Sequence, residues 1–280
     1  MTTTLRPAGP EEFLLDGGRG RDWLVCANGR PVGAVRTTAR PLGSGWTGRI
    51  ERLEIAPEGR RCGRGTVAAL AAEEVLRGWG CHRAEVTVPV EAPSALALAL
   101  ALGYAETNRK LVKRIGQPPL PAAELTIRQI GPERFPQWLE EAKATYREHL
   151  VRAGLSELQA RDTCEADHTH LLTAGHATPG VALRQLLCGA DPVGSFWLSL
   201  REGALPDGRP LAWVMTVEVH PTRRGHGYGR ELMLAAERAC LAAGVHDLGL
   251  NVYTANHVAI ALYDSLGYRP TCRVLAKTLP

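Results

Sequence analysis

The chain repeats itself. Shifted by 164 positions, residues 54–104 lie on 218–268 without a gap, and 18 of those 51 positions are identical. The matches include Glu54/Glu218, Pro57/Pro221, Arg60/Arg224, Gly63/Gly227, Gly65/Gly229, the run Ala71-Ala72-Glu73 on Ala235-Ala236-Glu237, and Leu102-Gly103-Tyr104 on Leu266-Gly267-Tyr268. Matching glycines weigh more than matching alanines, because a glycine kept at a turn marks backbone that other residues tolerate poorly. Upstream, Pro31-Val32-Gly33 meets Pro192-Val193-Gly194 at an offset of 161, so the intervening loop is three residues longer in the second copy. Self-similarity on this scale means two copies of one domain. The 280 residues then divide into domains 1–117 and 122–280. The linker, 118–121, sits in the Pro-rich stretch Gly116-Gln117-Pro118-Pro119-Leu120-Pro121 and is expected to be stiff and extended.

Hydrophobic spacing predicts the elements. In the second copy, strands are expected at 125–130, 181–189, 192–201, 211–220, 248–253 and 268–277. Helices are expected at 133–153, 156–172, 227–243 and 257–266. The order is mixed α/β. The first copy has the same back half, but only about sixteen residues separate its first strand, near Leu5, from the next at 23–27, so its front helices are nearly absent. The stretch 95–102 alternates Ala and Leu, which by period reads as a strand. Ala and Leu are strong helix formers, and the repeat places the stretch on helix 257–266, so a helix is expected.

Composition narrows the function. Hydrophobic residues at 45% and charged residues at 22% are those of a globular chain. A net charge of +4, spread along the sequence, gives no basic stripe for nucleic acid. The longest uncharged apolar stretch, 92–105, is too short to span a bilayer. The seven cysteines contain no C-x-x-C pair, which fits reduced thiols better than disulfides or zinc, and the N-terminus has no signal pattern. A cytoplasmic protein is expected, with no membrane, nucleic-acid or metal partner. Cys164, His168 and His170 resemble metal ligands superficially, but a solvated helix face is the expected setting.

Each copy carries a strand, a Pro, a turn of pattern R-x-x-G-x-G, and a helix. The turn is Arg224-Gly225-His226-Gly227-Tyr228-Gly229 in the second copy and Arg60-Arg61-Cys62-Gly63-Arg64-Gly65 in the first. Glycines here let successive backbone N–H groups point into one concavity at a helix N-terminus, a fixed site for phosphate oxygens. Arg223, Arg224 and Arg230 add charge. A Rossmann turn would need Gly at position 230, and a P-loop would need Gly-Lys-Ser/Thr; neither is present.

These residues, with VEVHPTRRGHGYGRELM, Asn256 and AIALYDSLGYRP, resemble the GCN5-related N-acetyltransferase (GNAT) superfamily, in both halves and over most of the chain. The resemblance implies two tandem domains, each a central, mostly antiparallel sheet flanked by helices. It implies acetyl-CoA as co-substrate, with the pyrophosphate on 224–229 and the pantetheine arm beside strand 215–219, where the backbone of Val217 and Val219 would bond its amides. An amine acceptor would complete a ternary complex. Tyr263 stands where the family keeps its general acid; a core tyrosine on an apolar helix face is the alternative. Glu218 is the candidate general base, against a strand carboxylate paired with an arginine, and His220 is a weaker candidate. Asn256 would cap its helix, bond the pantetheine, or both. The acidic residues Glu140, Glu141, Glu148, Glu157, Glu165 and Asp167 form either a rim for a cationic amine or ordinary solvated surface.

The first copy has Ala99 at the Tyr263 position and Ala92 at the Asn256 position. It keeps Arg60, Gly63 and Gly65, a possible second CoA site in a domain expected to be non-catalytic. The expectation is an acetyl-CoA-dependent N-acetyltransferase acting through its second domain. The alternative is a CoA-binding sensor or scaffold without turnover.

Overall fold

The computed structural model describes all residues except Met1, Leu15, Asp16, Gly43, Ser44 and Ala153. The first copy contains β1 (Thr3–Pro7), β2 (Glu12–Phe13), β3 (Arg19–Ala27), β4 (Arg30–Leu42), β5 (Gly45–Ile55), α1 (Arg64–Gly78), β6 (Cys81–Pro89), α2 (Pro93–Ala101) and β7 (Ala105–Arg114). The second contains β8 (Leu125–Gln129), α3 (Phe135–Arg152), α4 (Glu157–Leu171), β9 (Val181–Cys188), β10 (Asp191–Ala204), β11 (Pro210–Val219), α5 (Tyr228–Ala242), β12 (Asp247–Tyr253), α6 (His257–Ser265) and β13 (Arg269–Thr278). Period and propensity therefore place every expected element of the second copy within a few residues. The end expected for the helix at 133–153, Ala153, lies outside the described residues. The Ala/Leu stretch is helical, with Pro93 in its first turn; propensity overrides an accidental period of two.

Two compact units form. One comprises 1–108, 156–163 and 272–280; the other comprises 109–155 and 164–271. They differ from the sequence copies by their last strands and by 156–163, which falls in the first unit. In the first unit the strand order is β1-β3-β4-β5-β6-β13, with β2 beside β3. β13 runs antiparallel to β6, Cys272 opposite Pro89 and Thr278 opposite Arg83. In the second unit the order is β7-β12-β11-β10-β9-β8. Each copy thus gives its final strand to the other unit.

The exchange is recorded in side chains that the repeat had already paired. Glu237 on α5 is 1% exposed; it takes Nζ of Lys113, from β7, at 2.6 Å and the hydroxyl of Tyr268 at 3.1 Å. Glu73 on α1, also 1% exposed, takes Nζ of Lys277, from β13, at 2.8 Å. Lys113 lies 5.5 Å from the centre of the Tyr268 ring and Lys277 lies 5.7 Å from that of Tyr104. Burial together with the nearby carboxylates raises both phenols well above the ordinary tyrosine value.

Both units share one distortion. The pairing of β10 with β11 steps from Leu198 opposite Val214 to Trp197 opposite Thr216, leaving Met215 as an extra residue. The pairing of β4 with β5 steps from Thr37 opposite Ile50 to Arg36 opposite Arg52, leaving Glu51. These bulges fall at equivalent positions of the repeat. Nearby, a Cβ on Gly194 would lie 2.5 Å from the carbonyl oxygen of Glu218, and one on Gly33 would lie 2.2 Å from that of Glu54. No side chain fits there, which explains the shared Pro-Val-Gly.

The second unit's main core lies between its sheet and α5 and α6, around Phe196, Leu198, Leu232, Met233, Leu248 and Tyr268. A separate cluster under α3 contains Ile130, Trp138, Ala142, Leu172, Leu183 and Trp197. Among the described residues, no helix is long and apolar enough to cross a membrane.

Candidate active site

The parallel strands β11 and β12 part company halfway. They pair from Leu211 opposite Asp247 to Val214 opposite Leu250, and no further. Beyond the bulge, β11 continues to Val219 paired only with β10. The backbone edge of 215–219 that would otherwise meet β12 therefore carries groups that an extended, amide-bearing ligand can bond. Val217 and Val219 lie on this stretch. β5 and β6 part at the equivalent place, after Ile50 opposite Val86.

The glycine turn follows at once. Gly225 has φ 82° and Gly227 φ 81°, the left-handed region that glycine occupies freely. Gly227 is the N-cap residue of α5, and no side chain caps it. Among the described residues the backbone N–H groups of 225–229 have no hydrogen-bond partner. They lie at the positive end of a 15-residue helix, which is where phosphate oxygens bind. His226 Nδ1 lies 2.8 Å from the carbonyl oxygen of Arg224, so the ring donates back into the loop, and it stacks on Tyr228. Gly229 admits Leu262 of α6 to 3.3 Å of where its Cβ would stand. Among the arginines, Arg223 pairs with Asp191 at 2.8 Å and Arg230 bonds Ser265 at 2.5 Å. These residues fit the diphosphate and pantetheine of a CoA thioester.

Glu218 lies near the end of β11 and is half-buried beneath α3. Thr145 of α3 donates its hydroxyl to Oε2 of Glu218 at 3.2 Å. Burial, helped by Glu141 and Glu148, pushes the carboxyl up to about 7, against the pull of Thr145 and Arg224. Among the described residues the carboxylate forms no salt bridge with an arginine, the alternative the sequence left open. His220 is exposed and bonds Thr222 at 3.0 Å. His149, one turn beyond Thr145, has its ring 5.8 Å from that of Tyr253 at the end of β12. Desolvation holds this imidazole below its ordinary value, which favours the neutral form.

Tyr263 is 9% exposed within the main core, edge-on to Tyr268 at 5.9 Å. Burial pushes its hydroxyl up to about 12, so it keeps its proton throughout the neutral range. Its hydroxyl has no hydrogen-bond partner among the described residues. Asn256 caps α6, accepting the N–H of Ala259 at 3.1 Å.

One expectation is corrected. Cys164 and His168 are not on a solvated face: both are buried, and His168 Nδ1 bonds the Cys164 carbonyl at 2.8 Å. The helix turns this stripe inward against Trp197, 5.4 Å from the His168 ring. His170 is exposed, as expected. Four of the six candidate rim residues on α3 and α4 have partners. Glu141 pairs with Arg134, Glu148 with Arg152 and Glu165 with Lys143, while Asp167 accepts the Tyr146 hydroxyl. Sequence reasoning missed Thr145, His149, Tyr253 and the bulge at Met215, because no motif or period marks them.

The first unit keeps the turn with altered contents. Arg60 donates Nε to the carbonyl of Ile55 at 2.8 Å. Gly63 keeps φ 71° as N-cap of α1, and Gly65 contacts Leu98. Arg61 stands where the second unit has Gly225 and carries φ 57°. A non-glycine residue there costs about 1–2 kcal/mol, partly offset by glycine's greater chain entropy. Arg61→Gly is therefore expected to stabilise the fold by up to about 1 kcal/mol, read as a higher denaturation midpoint in urea. A lower midpoint would mean that the Arg61 side chain contributes more than its backbone costs.

The fold, the parted parallel strands and the glycine turn define an acyl-CoA-dependent acyltransferase. The chain matches the Acetyltransferase (GNAT) family over residues 3–104 and again over 136–268, and it belongs to that family in two tandem copies, with acetyl-CoA as co-substrate. It is 29% identical over 274 residues to a "Mycothiol acetyltransferase" of Thermomonospora curvata, covering 91% of this chain and 81% of that protein. It is 31% identical over 151 residues to the "Uncharacterized N-acetyltransferase YycN" of Bacillus subtilis, covering 52% of this chain and 94% of that one. In fold it is similar to a tandem GNAT protein from the clavulanic acid biosynthesis pathway (TM-score 0.52, 22% identity, 95% of this chain and 85% of that one). It is also similar to a GCN5-related N-acetyltransferase from Sphaerobacter thermophilus (TM-score 0.63, 17% identity, 92% and 80%).

Proposed function

We propose that the second unit transfers the acetyl group of acetyl-CoA to a primary amine by direct attack in a ternary complex. The observation that carries this is the placement of Glu218. A carboxyl that burial pushes up to about 7 stands on the parted strand, ahead of the loop of unpartnered amides. Such a group is part ionised at neutral pH and suited to take a proton from an ammonium, directly or through water. The neutral amine then attacks the thioester carbonyl, the C–S bond breaks, the leaving thiolate takes the proton of Tyr263, and the extra proton on the new amide nitrogen passes through solvent to restore the phenol. Val217 and Val219 would hold the pantetheine, the amides of 225–229 with Arg224 the diphosphate.

The first unit, with Ala92 and Ala99 in place of Asn256 and Tyr263 and, among the described residues, no helix between β1 and β3, is proposed as a non-catalytic partner. Arg60, Gly63 and Gly65 would give it at most a second CoA site. The test is thiol release from acetyl-CoA by the full chain over a panel of amines. The name of the T. curvata relative puts the unacetylated form of mycothiol first in that panel. Release is expected to depend on the amine, and Tyr263→Phe to lower kcat by about a hundredfold without changing the KM for acetyl-CoA. Thiol release that ignores the amine and is untouched by the substitution would instead favour a sensor or scaffold.

A further inference from the structure

The inner face of α3 is tethered at three points. Trp138 donates its indole N–H to Ser195 Oγ at 3.1 Å. Thr145, seven residues on, donates to Glu218 at 3.2 Å. His149, a turn further, lies against Tyr253. Spacings of seven and four put all three on one helix face. Ser195 is the register partner of Glu218 across β10 and β11, and Tyr253 ends β12. The helix is thus fixed in rotation over the place where β11 and β12 part. The first unit supplies an internal control. Glu54 occupies the same strand position, opposite Ala34, has no such helix from its own copy, and is exposed.

We propose that Thr145 is a positioning residue: α3 holds its hydroxyl on Oε2 of Glu218, which orients the carboxylate and leaves Oε1 to receive the acceptor's proton. This rests on Glu218 being the base. The other groups that bear on the carboxylate are Glu141 and Glu148 from α3 and Arg224 from the glycine turn; none makes a hydrogen bond to it. Thr145 is the single donor found among the described residues, and a donor to the ionised form favours that form.

The experiment is a carbon-13 NMR titration of glutamate-labelled full-length protein, with the Glu218 signal assigned by its loss in Glu218→Gln. Thr145→Val is expected to move the Glu218 midpoint upward by about one pH unit, and Thr145→Ser to restore it. Thr145→Ala repeats the test without added bulk at the helix underside. In amine-dependent thiol release, Thr145→Val should lower kcat most at the acid end of the profile and leave the KM for acetyl-CoA unchanged. A Glu218 midpoint identical in wild type, Thr145→Val and Thr145→Ala overturns the proposal. Full turnover by Glu218→Gln overturns the base assignment instead, whatever Thr145 does to the midpoint.

Discussion

Glu237→Ala is expected to exceed the other substitutions in destabilising the second unit, by about 3–5 kcal/mol. The reason is asymmetry. The carboxylate is 1% exposed and its partner Lys113 is 18% exposed, so removing Glu237 leaves an ammonium and the Tyr268 hydroxyl in the interior without the acceptor that satisfied them. Replacing both charges at once, Lys113→Met with Glu237→Leu, is expected to recover most of the loss, because a well-packed apolar pair replaces a buried ionic one at little net cost. Urea unfolding of the full chain checks both. A single substitution costing under about 1 kcal/mol would show that the pair is worth no more than a surface salt bridge. The same logic applies to Glu73 and Lys277. Lys277 is close to the C-terminus yet packs in the first unit, so Lys277→Ala is expected to weaken the unit that begins the chain.

Glu218→Gln is expected to lower amine acetylation by about 10²–10⁴-fold, the usual worth of a positioned general base. Wild-type kcat/KM should rise with pH through a limb near 7, the value to which burial pushes this carboxyl, and that limb should vanish in the variant. Stability moves the opposite way. The folded value lies above the ordinary 4.5, so ionisation costs the fold stability as pH rises from about 4.5 through 7. Glu218→Gln is therefore expected to melt higher than wild type at pH 8, with the gap closing below pH 4. A melting difference independent of pH would refute the raised value. Undiminished turnover would remove Glu218 from the chemistry.

The position of Glu218 was legible in the sequence, since the repeat aligned it with Glu54 and placed it just ahead of the glycine turn. Its environment was not. The burial that raises it comes from α3, about seventy residues upstream, and no local spacing connects Thr145 to it. Cys164 and His168 make the same point, because the stripe of α4 that turns inward is chosen by Trp197 on a distant strand. Tyr263 and Asn256 were legible as a helix residue and its cap. The glycine turn was legible throughout: a left-handed φ is a property of single residues, and Gly225 and Gly227 announce it.

By itself the sequence determined the duplication, the order of elements in each copy, and the glycine cap that starts α1 and α5. All of these follow from local backbone preference or from identity between copies. Only the tertiary structure decided which sheet each copy's last strand joins, where β11 parts from β12, and which charge Glu237 and Glu73 meet. Strand pairing uses backbone groups common to every residue, so a strand's own sequence does not name its neighbour. The choice falls to the side chains it brings, and for β7 and β13 those are the lysines that neutralise the other copy's buried glutamates.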